Sequence, residues 1–207
     1  VGHSSMGCNL TGADNVAVGF HSLLNNTTGS GNVAIGASDN STTGAALAAN
    51  TTGSHSVAIG QGALNTTTTN DNNVAVGFEA LKVVNTGGCA ALGFRAGVAN
   101  TGPYNTFIGH IAGDDNTSGQ RSSFIGFNAG QNITTGDRNT CIGFEASGAA
   151  SSTDSTICIG TEITSASNTF SFGKSGNVIS NVFTTHASWS RSPDVHKQTN
   201  IQHATLG

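Results

Sequence analysis

The sequence predicts an all-β repeat protein, a β-solenoid or β-roll with rungs of about 17 residues, intertwined or packed as a homotrimeric fibre. A short apolar strand ends in glycine eleven times, and most of these glycines lie 16 or 17 residues apart. Each strand is followed by a short coil and by a corner rich in Asn, Thr and Gly. Charged residues make up only 9% of the chain, against about a quarter in ordinary soluble domains. The closing glycines are Gly7, Gly19, Gly36, Gly60, Gly77, Gly93, Gly109, Gly126, Gly143, Gly160 and Gly173.

The strands are apolar at two successive positions, which point to opposite faces. The residue before each closing glycine is always apolar, and this column is the predicted core of the repeat. The residue before that one is mostly small or apolar as well. Both faces are therefore expected to be covered, the second by another copy of the chain. The predicted core column includes Val18, Ile35, Ile59, Val76, Leu92, Ile108, Ile125, Ile142 and Ile159.

The coil and the corner complete each rung. Phe78 and Leu81 are three residues apart, which predicts a single helical turn that presents both to one side. Polar stretches such as 25–29 hydrogen-bond their own backbone and supply glycine for positive φ, so they predict corners. About ten rungs at roughly 4.8 Å each predict a shaft on the order of 50 Å long.

A rung of this size offers only about four apolar side chains. Three chains around a common axis would supply the missing burial, which favours a homotrimer over a wide monomeric solenoid. The predicted organisation is a repeat shaft over residues 1–173, an aperiodic segment over 174–193 and the start of a further domain over 194–207.

Charge and motif spacing exclude several partners. The net charge is -4 and no basic stripe indicates nucleic acid binding. No apolar window is long enough to predict insertion into a membrane. The seven histidines lack metal-binding spacing, so neither a metal nor a cofactor is predicted. Cys141 and Cys158 share a strand column in adjacent rungs, where either a disulfide or two small buried thiols would fit.

Candidate contact residues lie where the period fails. The copy between Gly36 and Gly60 is about seven residues longer than the others, so residues 38–53 are predicted to bulge from the shaft. A second candidate is the corner 114–121 with nearby Tyr104, and a third is the only tryptophan, in the aperiodic segment. The candidate binding residues are Ser38, Asn40, Tyr104, Asp114, Asp115, Arg121 and Trp189.

The repeat resembles a known architecture. The run Asn-Val-Ala-Val-Gly-Phe at 15–20, together with Asn-Thr-Thr-Gly corners, is similar to repeats of phage and large-virus fibres. It is also similar to the Val-Ala-Ile-Gly repeats in the heads of trimeric autotransporter adhesins. Those heads are trimeric left-handed β-rolls, so the resemblance implies that fold over about residues 4–173.

A second resemblance lies near the carboxyl end. Asp194, Asn200 and Ile201 match the opening of the intramolecular chaperone domain that follows endosialidase-type tail spikes. That family trimerises its fibre and cuts itself off just before the aspartate. A possible processing junction therefore comprises Ser192, Pro193 and Asp194, although Pro193 stands where the family has its cleavage serine, which argues against self-cleavage.

The resulting expectation is a structural and adhesive fibre segment, not an enzyme, on a virion or an extracellular cell surface. Its expected partners are two further copies of itself, neighbouring fibre segments and a cell-surface receptor or glycan. The main alternative is a polysaccharide-degrading tail spike, which needs two carboxylates about 5 to 9.5 Å apart in a cleft. An ice-binding solenoid is a weaker alternative, because the threonines cluster in corners and form no Thr-x-Thr ladder.

Overall fold

The chain folds as a parallel β-solenoid of about nine turns with rungs of about 17 residues. The computed structural model describes residues 1–38, 44–183 and 190–191, and these contain strands, turns and coil but no helix. The predicted all-β repeat architecture is therefore confirmed.

Ten short strands pair in parallel, each in register with the same position of the next rung, as Ala17 with Ala34 and Ala58 with Ala75. β9 and β11 form a small second sheet, and β12, β13 and β14 are joined antiparallel at the end of the large sheet. The strands are β1 (Val16–Val18), β2 (Val33–Ile35), β3 (Val57–Ile59), β4 (Val74–Val76), β5 (Ala90–Leu92), β6 (Thr106–Ile108), β7 (Ser123–Ile125), β8 (Thr140–Ile142), β9 (Ser147–Gly148), β10 (Ile157–Thr161), β11 (Thr164–Ser165), β12 (Thr169–Lys174), β13 (Asn177–Val182) and β14 (Ser190–Arg191).

The inward column of the sheet is one residue earlier than predicted. The middle residue of each strand is buried, whereas the predicted core column before the glycine points outward. A narrow rung has room inside for a small strand residue opposite the leucine of the coil, and the bulkier Val or Ile takes the outer face. The buried middle residues are Ala17, Ala34, Ala58, Ala75, Ala91, Phe107, Phe124, Cys141, Cys158 and Ser171. The outward column comprises Val18, Ile35, Ile59, Val76, Leu92, Ile108, Ile125, Ile142 and Ile159.

The coil after the glycine is not a helical turn, which corrects a second prediction. Glu79 and Leu81 both have positive φ, which a right-handed helical turn does not contain. Leu81 is buried while Phe78 lies on the surface, so the two side chains point to opposite sides. The coil is a wall of the rung that supplies Leu23, Leu47, Leu64 and Leu81 to the core.

Stacked side-chain hydrogen bonds hold the corners. Asn15 Oδ1 accepts the N–H of Asn32, and Asn32 Oδ1 accepts the N–H of Ser56. The Nδ2 group of Asn32 donates to the carbonyl of Gly53. These buried amides satisfy backbone groups of the next rung, so the corners are ordered without charge.

The core changes its filling pattern midway along the shaft. The rungs of β1 to β4 have alanine at the middle strand position and a buried leucine in the coil, whereas Phe107 and Phe124 face glycine there. The rung of Ala91 already has Gly97 in its coil, and the Phe107 ring of the next rung fills that space. A Cβ placed on Gly130 would come within 2.6 Å of Phe124 Cε2, and one on Gly113 would overlap Phe107. The strand phenylalanine therefore supplies the side-chain volume that the coil glycine lacks.

Part of the long rung does not protrude. Leu47 is fully buried, and Asn50 continues the ladder of corner asparagines by donating to Asn26 Oδ1 and to the carbonyl of Gly53. Residues 44–53 therefore belong to the body of the rung, which corrects that part of the predicted bulge. The remaining extra residues include 39–43, outside the described part. Residues 194–207 also lie outside it, as do 184–189 and 192–193.

Candidate functional site

The outer face of the sheet carries a continuous apolar column, here called the outer stripe, which is made of the residues that precede the closing glycines from Gly19 onward. The segment before Gly7, predicted as the first strand, is a turn, and Gly2 takes the place of the closing glycine in that rung. Leu92 exposes 52% of its surface and Ile35 exposes 37%. Valines at the start of several strands, such as Val16 and Val74, lie on the same face and are also exposed. A chain that fills its own interior with alanine and leucine therefore leaves a second apolar face open.

An exposed aromatic ladder runs beside the outer stripe, on the far side of the glycine column. Consecutive rings stack with centroids 5.0 to 5.4 Å apart and interplanar angles of 8 to 14°. These spacings correspond to one ring per rung and to an offset stack. The ladder consists of Phe78, Phe94, His110, Phe127 and Phe144.

The structure brings two of the predicted contact residues together. The Arg121 guanidinium lies over the ring of Tyr104, with Cζ 6.0 Å from the ring centroid. Both belong to the position two residues before each strand, here called the corner ladder, which also holds Asn72, Gly88 and Arg138 in neighbouring rungs.

Other predicted contact residues lie elsewhere. Asp114 belongs to the coil, and burial and the adjacent Asp115 raise its pKa, while the charge of Arg95 lowers it. Asp114 thus interacts with a coil arginine and does not join the Tyr104 cluster. Ser38 lies at the start of the long rung and its N–H donates to the carbonyl of Phe20. Asn40 and Trp189 lie outside the described residues, as does the junction of Ser192, Pro193 and Asp194.

A notch of about 550 Å³ opens directly beside Tyr104. It arises because Gly87 and Gly88 remove two side chains from one rung of the corner. A Cβ on Gly88 would lie 2.8 Å from Tyr104 Cδ1, so the ring rests over the bare glycine. Its other lining residues are Thr69, Asn70, Asp71, Asn72 and Pro103.

The notch also interrupts a hydrogen-bond ladder. The ladder lies three residues before each strand. There, Ser54 N–H donates to Asp71 Oδ1 and Gln120 N–H donates to Asp137 Oδ1. The Asp71 N–H has no such side-chain acceptor in the next rung, because Gly87 stands there, and Gly87 is followed by Pro103. The floor of the notch therefore carries a backbone N–H group whose equivalents in other rungs are hydrogen-bonded to a side chain of the next rung.

Several carboxylates of the shaft have structural roles. Glu79 forms an ion pair with Lys82, with Nζ to Oε1 at 2.6 Å, and a longer one with Arg95. Asp137 and Asp154 each accept a backbone N–H from the preceding rung. The part of the chain that the structure describes holds no group of three His, Cys, Asp or Glu suited to a metal, and no helix there could span a membrane.

Cys141 and Cys158 are register partners in adjacent strands, and both are free, buried thiols. Burial, and then the neighbouring Cys158, raises the pKa of Cys141, and burial raises the pKa of Cys158 to about 11. Both act as small apolar residues that fill the position of alanine in earlier rungs.

We expect Cys141 and Cys158 to resist maleimide in the folded protein, while the exposed Cys8 reacts. Their pKa is higher in the folded chain than the ordinary 9.0, so the unfolded chain releases these protons first. Stability is therefore complete below about pH 9 and falls as the pH rises further. Mass spectrometry after labelling, with and without denaturant, counts the reactive thiols. Rapid native labelling of either buried thiol would contradict the burial, and an unreduced mass lower by two hydrogens would reveal a bridge.

The sequence indicated Tyr104 and Arg121 as candidate contact residues but gave no direct sign of the notch beside them. Its signal was the Gly87–Gly88 pair, which stands where other rungs carry polar side chains such as Asp71 and Asn72. Two missing side chains are recognisable as a gap only after the rungs are in register.

No family model, curated protein or solved structure shows a significant match to this chain.

Proposed function

We propose that this chain is one third of a homotrimeric surface fibre, in a shaft that supports adhesion to a receptor or glycan on a virion or cell surface. The observation that carries the proposal is the outer stripe. A rod with 9% charged residues and a regular apolar face along its length needs a partner of the same length and period. Another copy of the same chain satisfies both requirements.

The exposed apolar area of the outer stripe supports self-association. Soluble monomers rarely expose a contiguous apolar patch larger than a few hundred Å². The outer stripe recurs in every rung from β1 to β10 and is extended sideways by the aromatic ladder. Three copies around an axis close such a stripe on itself, whereas two flat stripes leave their edges in water.

Adhesion follows from the geometry of a trimer. A threefold fibre presents three identical sites at one level, so weak single contacts add up through avidity. Several carboxylates of the shaft, such as those of Glu79 and Asp154, are engaged by an ion pair or a backbone N–H group, which favours a binding role over polysaccharide cleavage at those residues.

The oligomeric state tests the proposal. We expect the intact chain to sediment with three times the chain mass in analytical ultracentrifugation. The double variant Ile59→Glu and Ile108→Glu should shift the species towards monomer, because six charges would enter a dry interface. Circular dichroism shows whether the variant retains its strands.

Asn25→Glu is the matched control, because Asn25 is an exposed corner residue away from the outer stripe. It adds one negative charge per chain, against two in the double variant, and should leave the trimer intact. A wild-type chain that stays monomeric at micromolar concentration would refute the proposal. If the double variant does not fold, a single cysteine at Ile59 or Ile108 provides a second test once the exposed Cys8 is replaced by serine, since trimers should then yield chains joined in pairs on oxidation.

A further inference from the structure

We propose that the notch beside Tyr104 binds an acidic oligosaccharide, with one neutral pyranose ring in the notch and an anionic group against Arg121. The inference rests on the adhesive role proposed above and assigns its ligand class and its contact site.

The ring of Tyr104 supplies the stacking surface. Tyr104 exposes 62% of its surface, and the bare Gly88 beneath it leaves part of the ring without a covering side chain. The flat apolar face of a pyranose packs on such a ring, while its hydroxyl groups point outward. An aromatic residue with a polar tip suits a wet, half-open site.

The opposite wall supplies hydrogen-bond partners. Asn72 stands two rungs from Tyr104, roughly 9 to 10 Å away along the fibre axis. The Tyr104 ring leans over Gly88 between them, and Tyr104 and Asn72 both line the notch. Asp71 and Asn72 are both exposed, and together they offer carboxylate and amide groups to adjacent hydroxyls.

The notch has the volume of a ligand site, and one of its backbone N–H groups lacks a side-chain acceptor, which favours a polar ligand. Its volume of about 550 Å³ lies within the range of small-molecule sites, about 300 to 1,000 Å³. The Asp71 N–H lacks the side-chain acceptor that Ser54 finds in the next rung. A sugar hydroxyl in the notch would lie where that acceptor is missing.

The positive charge next to Tyr104 favours an acidic saccharide unit beside the sugar in the notch. Among the residues that the structure describes, ion pairs join Glu79 to Lys82 and Arg95, so Arg121 has no carboxylate partner. Arg138 follows it on the corner ladder and donates Nε–H to Ser155 Oγ. Two successive guanidinium groups beyond Tyr104 thus favour an anionic group on the next saccharide unit.

A glycan array tests the inference with the full chain. The array carries neutral, carboxylated and sulfated oligosaccharides, which separates the two sources of negative charge. We expect retention on acidic members that contain a neutral hexose. Gly88→Asn fills the notch and Tyr104→Ala removes the stacking surface, so each should lower the signal at least tenfold. Arg121→Gln should remove the preference for acidic over neutral members.

Gly31→Asn is the matched control for Gly88→Asn. Both glycines occupy the corner ladder at similar positive φ, +68° and +77°, and Asn72 shows that asparagine is accommodated there at φ 61°. Only Gly88 borders the notch. We expect full glycan binding for Gly31→Asn. Its Cβ would lie 3.1 Å from His55 Cδ2, so the melting temperature reports how far that ring has to shift.

The outcomes separate this inference from the proposed fibre role. Undiminished binding by Gly88→Asn or Tyr104→Ala would overturn the notch as the site, and so would a folded wild-type trimer that retains no glycan. Neither result affects the trimer measured by sedimentation. Conversely, a monomer whose binding is lost in Gly88→Asn would refute the fibre and keep the notch, because all its residues come from one chain.

Discussion

Gly93→Ala is expected to prevent the solenoid from folding. Gly93 closes β5 with φ +143°, a conformation that L residues rarely adopt. A Cβ there would overlap the carbonyl oxygen of Gly109 and lie 2.6 Å from its carbonyl carbon. The clash is with backbone of the next rung, so no side chain can turn away, and the rungs must separate. We expect a loss of more than about 4 kcal/mol in the free energy of unfolding.

Gly176→Ala is the control for this effect. Gly176 also has positive φ, +80°, but no atom lies within 4 Å of an added Cβ. Its substitution carries only the backbone cost, about 1 kcal/mol. Circular dichroism and the yield of soluble protein compare the two variants. Equal stability of both would show that close packing of the glycine column is not what holds the rungs together.

Phe124→Ala is expected to destabilise the fold by about 3 to 5 kcal/mol. The Phe124 ring is fully buried and occupies the space that Gly130 leaves in the coil of the same rung. Gly130→Leu alone should also destabilise, because its side chain would enter the Phe124 ring. Chemical denaturation followed by circular dichroism measures both changes.

Combining the two substitutions should recover part of the loss. The double variant recreates the alanine and leucine filling of β4, where Ala75 and Leu81 are both buried. Leu81 has φ 47°, so leucine is compatible with the positive φ of this coil position. We expect a favourable coupling of about 1 to 3 kcal/mol in the double-mutant cycle. Additive losses would contradict the view that the two walls share one space.

Much of the fold could be predicted from spacing. The repeat of glycine after Val-Ala-Val or Val-Ala-Ile placed β1 to β4 correctly, because parallel in-register strands need the same residue type at the same position. Spacing does not show which face of each strand points into the rung, since both Ala75 and Val76 are apolar. A usable signal was Asn73, which shares the face of Ala75 and is buried to bond the next rung.

The contact site was less predictable. Tyr104 and Arg121 attracted notice as residues in or near an irregular corner, and their pairing depends on the 17-residue register between them. Asp114 lies only seven residues from Arg121 in sequence but belongs to another wall of the rung. Proximity along the chain is a poor guide in a solenoid, because the nearest neighbours of a residue are one rung away.

By itself the sequence determined the rung: its length, its closing glycine, its corner and the strands that stack in parallel. These are local demands, since only glycine fits the crowded column and the corner asparagines hydrogen-bond the backbone of the next rung. The tertiary structure decided which apolar column fills the rung and which stays outside, because that depends on the space between opposite walls. It also decided where missing side chains become a cavity, as at Gly87 and Gly88, since a gap has meaning only against the rungs on either side.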